Sequence, residues 1–170
     1  MKSTRQCSGR RQFLCNFCAL SGAAMVIPGI VSCGKAIGSR KDSRLPKVKV
    51  IFALLDDVQV KPDWPNIGYD MRPEMKNMMD SLNATIQDID FVSAKATAAE
   101  EATAIVTEDN TCGDIAGYIV MQLNIGVDII DSVLDNTDKP VLYTLMPYGG
   151  DGVWVQRVAR QIRAGRKNFE

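Results

Sequence analysis

Hydrophobic and polar positions divide the chain into alternating strand-like and helix-like stretches from residue 47 onward. Lys47-Val48-Lys49-Val50 alternates and then merges into the unbroken apolar run Ile51-Phe52-Ala53-Leu54-Leu55. Such a run suits a strand buried on both faces, as a parallel sheet requires. After a long loop, Asp56 to Arg72, Pro73 suits the first position of a helix and Glu74 its first turn. Met71, Met75, Met78, Met79 and Leu82 recur at helical spacing and predict one apolar stripe packed into a core. Ile86 to Val92 reads as a second strand. Thr97 with Glu100 has the spacing of a capping box ahead of a helix carrying Ala102, Ile105 and Val106. Gly117 to Leu123 is a third strand. Gly126, Ile129, Ile130, Val133 and Leu134 mark a third helix, Val141 to Leu145 a fourth strand, and Val153 to Gly165 a last helix. A β-α-β-α-β-α-β-α order predicts a Rossmann-like, doubly wound α/β domain with a mostly parallel sheet of four to five strands. A further strand is expected at Asn168-Phe169-Glu170, and the chain reads as a fragment truncated at its C-terminal end.

Residues 1–46 follow a different pattern. Arg10-Arg11-Gln12-Phe13-Leu14 resembles a twin-arginine export signal, with Gly9 and Cys15 at the usual Ser/Thr and Lys positions. The apolar stretch Phe13–Val31 is long enough to span a membrane, but Ser21-Gly22 and Pro28-Gly29 weaken it as a helix. It ends in Ile30-Val31-Ser32-Cys33, which looks like a lipobox, with cleavage before Cys33 and acylation of its thiol. The expected organisation is a signal segment over 1–32, a basic tether over 33–46 and the α/β domain over 47–170. The expected location is outside the cytoplasm, periplasmic or held to a membrane through a lipid anchor at Cys33. An uncleaved anchor is the alternative.

Charge and composition narrow the chemistry. Four of the 20 Lys and Arg and none of the 20 Asp and Glu precede Cys33, so the processed chain carries a formal charge of −4. That argues against nucleic acid as a partner. The chain has no histidine, so no site in it uses imidazole as base, nucleophile or metal ligand. Cys15-Asn16-Phe17-Cys18 has CxxC spacing but lies in the leader and lacks a second pair. Cys112 stands alone without a local base and reads as a structural thiol.

In a doubly wound sheet, ligands gather at the carboxyl ends of the strands. Two unusual loops leave such ends. The first brings Asp56, Asp57, Trp64, Asn66, Tyr69, Asp70 and Arg72 to that edge. Aromatic faces with Asn, Asp and Arg suit a polyol, the aromatics stacking on C–H faces and the polar groups bonding fixed hydroxyls; the alternative is a surface loop pinned by Trp64 and two prolines. Asp56 and Asp57, being adjacent at a strand end, point in opposite directions and do not share a metal. The second loop, Pro147-Tyr148-Gly149-Gly150-Asp151-Gly152, reads as a tight turn allowing close backbone approach, as a plain strand-to-helix turn, or as a phosphate cradle without the Walker lysine. Arg157, Arg160, Arg163 and Arg166, three apart, read as a solvated helix face or a contact with an acidic partner.

Trp64-Pro65-Asn66-Ile67-Gly68-Tyr69-Asp70 after the first strand and Pro147-Tyr148-Gly149-Gly150-Asp151-Gly152 after the fourth together resemble the amino-terminal domain of L-fucose/L-arabinose isomerase-like proteins. The resemblance spans roughly 47–170. It implies a Rossmann-like domain of a larger enzyme that interconverts an aldose and a ketose with a divalent ion, usually manganese. It also implies that the metal ligands and the catalytic base belong to later domains, so no cofactor and no catalytic residue is assigned here. The substrate-binding candidates are Trp64, Asn66, Tyr69, Asp70, Arg72, Tyr148, Gly149 and Gly150. A pentose or deoxyhexose, the missing C-terminal domains and a second copy in a homo-oligomer are the implied partners. Two other classes compete: one lobe of an exported sugar-binding or sensor protein, and a flavodoxin-like carrier, for which the first loop lacks Ser/Thr.

Overall fold

The computed structural model describes residues 45–146 and 151–170. The elements in chain order are β1 (Lys47–Ala53), α1 (Arg72–Thr85), β2 (Asp90–Ala96), α2 (Ala99–Cys112), β3 (Ile115–Gln122), α3 (Ile130–Asp135), β4 (Val141–Leu145) and α4 (Asp151–Arg163). The four strands form one all-parallel sheet in the order β2-β1-β3-β4. This is the expected doubly wound, Rossmann-like α/β architecture. The chain steps from β1 to one neighbour and then crosses over β1 to β3, so strand order reverses between β1 and β3. At the outer edge of β4, Val141 N–H donates to the Asn168 carbonyl at 2.7 Å and Tyr143 N–H to that of Glu170 at 2.7 Å. A parallel bridge pairs Val141 with Phe169, where the sequence pattern calls for another strand.

Alternation along the strands splits the core into two layers. Ile51, Ala53, Tyr118, Val120, Val141 and Tyr143 pack against Ala102 and Val106 of α2, Ile130, Val133 and Leu134 of α3, and Trp154 and Val158 of α4. Val50, Phe52, Leu54, Phe91 and Ile119 face the other way, against Met75, Met78, Met79 and Leu82 of α1. The methionine stripe is therefore core-facing, as its spacing predicts. Met71, the residue capping α1, has no exposed surface. Each such side chain removed from water contributes about 1.5–3 kcal/mol, which is what drives both layers onto the sheet.

A charged pair penetrates the first layer. Lys49 of β1 donates to Asp109 of α2 at 2.5 Å. Tyr118, opposite Lys49 in the register, has its phenol pKa raised, first by burial and then by the Asp109 carboxylate. These groups lie toward the amino ends of the strands, away from the long loops. Gly113 ends α2 with φ +71°, where a Cβ would be strained, and its N–H closes the last turn on the Asp109 carbonyl at 2.8 Å.

Three local expectations are corrected. The second strand begins at Asp90 rather than Ile86, because Ile86 caps α1 and packs its side chain into the α1 layer. Thr97 does not form a capping box with Glu100. Its N–H and hydroxyl both donate to Glu101, at 2.7 and 3.0 Å, and α2 starts one residue later than that pairing requires. The arginines near the C-terminus are a solvated face only in part: Arg160 and Arg163 are exposed, but the stripe is not free of partners. Arg157 is 5% exposed, Arg160 pairs with Asp128 and Asp131 at 3.1 and 2.8 Å, and Arg166 pairs with Asp135.

Candidate functional site

Because every strand is parallel, all the connections that leave carboxyl ends gather at one edge of the sheet. The loop after β1 is tightly built there. Val58 and Asp70 form an antiparallel bridge, Gln59 N–H donates to the Tyr69 carbonyl at 2.8 Å, and Gly68 N–H returns to the Gln59 carbonyl at 2.7 Å. Gly68 has φ +85°, the left-handed turn that glycine adopts without strain.

Asn124, just past β3, is the anchor. Its side-chain oxygen accepts from Leu55 N–H at 2.8 Å. Its amide nitrogen donates to Gln59 Oε1 at 3.0 Å and to the Trp64 carbonyl at 2.5 Å. Gln59 and Asn124 are each 1% exposed. Asp63 adds a bond from Gly126 N–H at 2.9 Å, and the approach is close: a Cβ at Gly126 would lie 3.1 Å from Asp63 Oδ2.

The buried polar groups continue across the edge. Gln122 donates to the carbonyls of Asn124 and Val127, and the Tyr143 hydroxyl donates to Gln122 Oε1 at 2.9 Å. Burial raises the Tyr143 pKa. Arg157 Nη2 donates to the Ile125 carbonyl at 2.9 Å, with Asp128 Oδ2 3.3 Å from its Nε. Buried amides thus fill the crevice where strand order reverses, and they hold the first loop over it. Gln59, Gln122, Asn124 and Arg157 were not legible as a group in the sequence. The available signal was polar residues at the end of an otherwise apolar strand, Gln122 and Asn124 flanking Leu123.

The loop held in this way forms one end of a groove of about 940 Å³. Trp64, Pro65, Asn66 and Tyr69 close the carboxyl-edge end. Along α1 two lines of side chains face it: Glu74, Asn77, Ser81 and Thr85 on the lip, and Met78, Leu82 and Ile86 deeper. Met121 of β3 and Met146 beyond β4 complete the floor. Trp64 is 39% exposed. The Tyr69 hydroxyl donates to Glu74 Oε1 at 2.8 Å, and this bond, with burial and the Glu74 charge behind it, raises the Tyr69 pKa.

Three of the eight substrate-binding candidates, Trp64, Asn66 and Tyr69, meet at this groove. Asp70 and Arg72 do not line it. They hold each other in a two-pronged pair, Nε to Oδ1 at 2.8 Å and Nη2 to Oδ2 at 2.7 Å. That hydrogen bonding holds the Asp70 carboxyl down at about 2. Asp57 is engaged by Lys95 at 2.6 Å, and Asp56 accepts from the N–H of Asp57 at 2.7 Å. Tyr148, Gly149 and Gly150 lie outside the described residues, as do Arg10, Arg11 and Cys33. Met146, which precedes the second loop, lines the same groove as Trp64 and Tyr69.

No family model, curated protein or solved structure matches this chain. The fold and this edge therefore carry the functional argument.

Proposed function

We propose that this domain recognises a carbohydrate at the carboxyl edge of its sheet, as the accessory amino-terminal part of an exported sugar isomerase-like protein. The observation that carries the reading is the convergence of Trp64, Asn66 and Tyr69 on one end of the groove, held there by Asn124. An aromatic face beside amide and hydroxyl groups supplies what a pentose or deoxyhexose needs: stacking on its C–H face and bonds to its hydroxyls. Glu74, the carboxylate among these lining residues, already accepts the Tyr69 hydroxyl. It suits orientation of that phenol better than abstraction of a substrate proton.

The isomerase resemblance implies a divalent ion, usually manganese. Among the described residues no group of three Cys, Asp or Glu side chains fits such an ion. Its ligands, and the carboxylates that move a proton, are expected from segments other than these. When bound, the ion would polarise the sugar oxygens.

Two measurements test the reading. With Trp154 replaced by Phe, the remaining tryptophan is Trp64. Its fluorescence should shift on titration with L-arabinose or L-fucose, and Trp64→Ala should abolish the response. A flat titration with every pentose and deoxyhexose tried would refute carbohydrate recognition. The 170-residue chain with added manganese should turn over neither sugar; measurable ketose formation would refute the accessory role.

A further inference from the structure

Besides the amides that hold the first loop, the carboxyl end of β3 carries donors that nothing meets. A cavity of about 10 Å³ lies there. Residues 122–125 line one side of it, and Val153, Trp154 and Arg157 of α4 the other. Arg157 is 5% exposed. Its Nη2 donates to the Ile125 carbonyl, and its Nε lies 3.3 Å from Asp128 Oδ2. Its Nη1 is buried with no hydrogen-bond partner among the described residues, and so is Nε1 of Trp154. A buried donor left unmet costs about 1–3 kcal/mol, and two are collected here.

The acceptors around the cavity are already engaged. Gln122 Oε1 accepts from the Tyr143 hydroxyl and Asn124 Oδ1 from Leu55 N–H. The Asn124 carbonyl accepts from Gln122, and the Ile125 carbonyl from Arg157. A water could accept from both N–H groups, but it has two hydrogens of its own to place against acceptors that already hold one. An anionic oxygen accepts without donating. Charge favours it as well. Asp128, the counter-ion of Arg157, is 40% exposed and shared with Arg160, so solvent screens the carboxylate while the guanidinium stays inside. Arg160 is also held by Asp131 at 2.8 Å.

We propose that this cavity seats one oxygen of a small oxyanion, a carboxylate or phosphate group, held by Arg157 Nη1 and Trp154 Nε1. The volume is that of a single oxygen atom, so the rest of the ligand lies outside it. Val153 and Trp154 are only half-buried, which leaves the cavity one side chain's depth from solvent. A bond from a charged donor to an anion is roughly twice as strong as a neutral one. The site is on the α4 face of the sheet, whereas the Trp64 groove is on the α1 face, and it does not depend on carbohydrate binding.

Thermal unfolding of the full chain at constant ionic strength, in sodium phosphate, sodium acetate or sodium chloride, tests the proposal. An anion that binds only the folded chain should raise the midpoint by about 5 °C at roughly twentyfold excess over its Kd. A saturable rise is expected in phosphate or acetate and none in chloride. A rise in phosphate alone identifies a phosphoryl ligand, and in acetate alone a carboxylate. Trp154→Phe keeps the ring and loses the N–H, and Arg157→Lys keeps the charge and loses the second nitrogen. Each should need about tenfold more anion for half the shift. Arg160→Met, in the exposed part of the same ion-pair cluster, should leave the response unchanged. Comparing variants in the same salts cancels the general stabilisation that phosphate gives any fold. No rise in either oxyanion overturns the proposal, as does an undiminished response in Trp154→Phe. An equal rise in chloride, or an equal loss in Arg160→Met, overturns it in favour of surface charge. The carbohydrate reading fails separately, on the Trp64 titration.

Discussion

Asn124 Nδ2 lies 3.0 Å from Gln59 Oε1, joining two residues that are 65 positions apart and each 1% exposed. Through this bond, and those to Leu55 N–H and the Trp64 carbonyl, the turn after β3 carries the loop after β1. Replacing Asn124 with Leu removes the partner of the buried Gln59 Oε1 and of two partly buried backbone groups, Leu55 N–H and the Trp64 carbonyl. At about 1–3 kcal/mol for each stranded group, partly relieved by relaxation, the expected loss is about 2–4 kcal/mol. Urea unfolding measures it. The emission of Trp64, with Trp154 replaced by Phe, should shift to the red in the still-folded variant as the loop loosens. Unchanged stability and emission would mean that the loop is held by other contacts.

Met71 and Ser81 lie at the two extremes of burial around α1. Met71→Ala should cost about 2–5 kcal/mol, because its side chain is wholly enclosed and the cavity cannot collapse fully. Ser81→Ala, on the exposed lip, should stay within about 0.5 kcal/mol. Denaturant midpoints at constant slope report both. Equal costs would contradict the division between core and lip.

Arg157 and Arg160 share Asp128 but differ in burial. Arg157→Met should destabilise by about 2 kcal/mol: it removes the bond to the Ile125 carbonyl and a nearly buried charge partner, while the 40% exposure of Asp128 limits the penalty. Arg160→Met should cost less than about 1 kcal/mol, since its pairs are half exposed. Thermal unfolding of the two variants should therefore rank them clearly.

Tyr69, Tyr118 and Tyr143 all have phenol pKa values above 10.0, for different reasons: the Glu74 hydrogen bond at Tyr69, burial at Tyr118 and Tyr143. A folded-state pKa raised above the unfolded value stabilises the fold fully below about pH 10, and the contribution disappears as pH rises through the folded value. Stability should thus fall on the alkaline side. An absorbance titration near 295 nm should show delayed phenolate formation. Glu74→Gln should move the Tyr69 component back toward the ordinary value without moving Tyr118. A single transition at the ordinary phenol position would contradict these environments.

The α/β class, the strand and helix order, and the core role of the methionine stripe were legible in the sequence. Each rests on a local period, and burial against a sheet enforces that period. Ile51-Phe52-Ala53 reads as a doubly buried strand because apolar residues stand on both of its faces. Element ends were less legible. Ile86 is apolar in either assignment, and only its packing on α1 makes it a cap rather than a strand start.

Side-chain partnerships were not legible from residue type, and the long-range ones were decided by tertiary structure. Asp70 and Arg72 suited a sugar by residue type, yet two residues apart they satisfy each other and turn away from the groove. Arg157 belonged by spacing to an exposed stripe, but the turn after β3 closes over it and supplies the Ile125 carbonyl. Gln59 and Asn124 carry no local signal, because what makes them matter is a bond across 65 residues of chain. Periodicity is a property of neighbours along the chain and survives in a string of letters. A hydrogen bond depends on two groups meeting in space, and only the crossover of the chain over β1 brings these groups together.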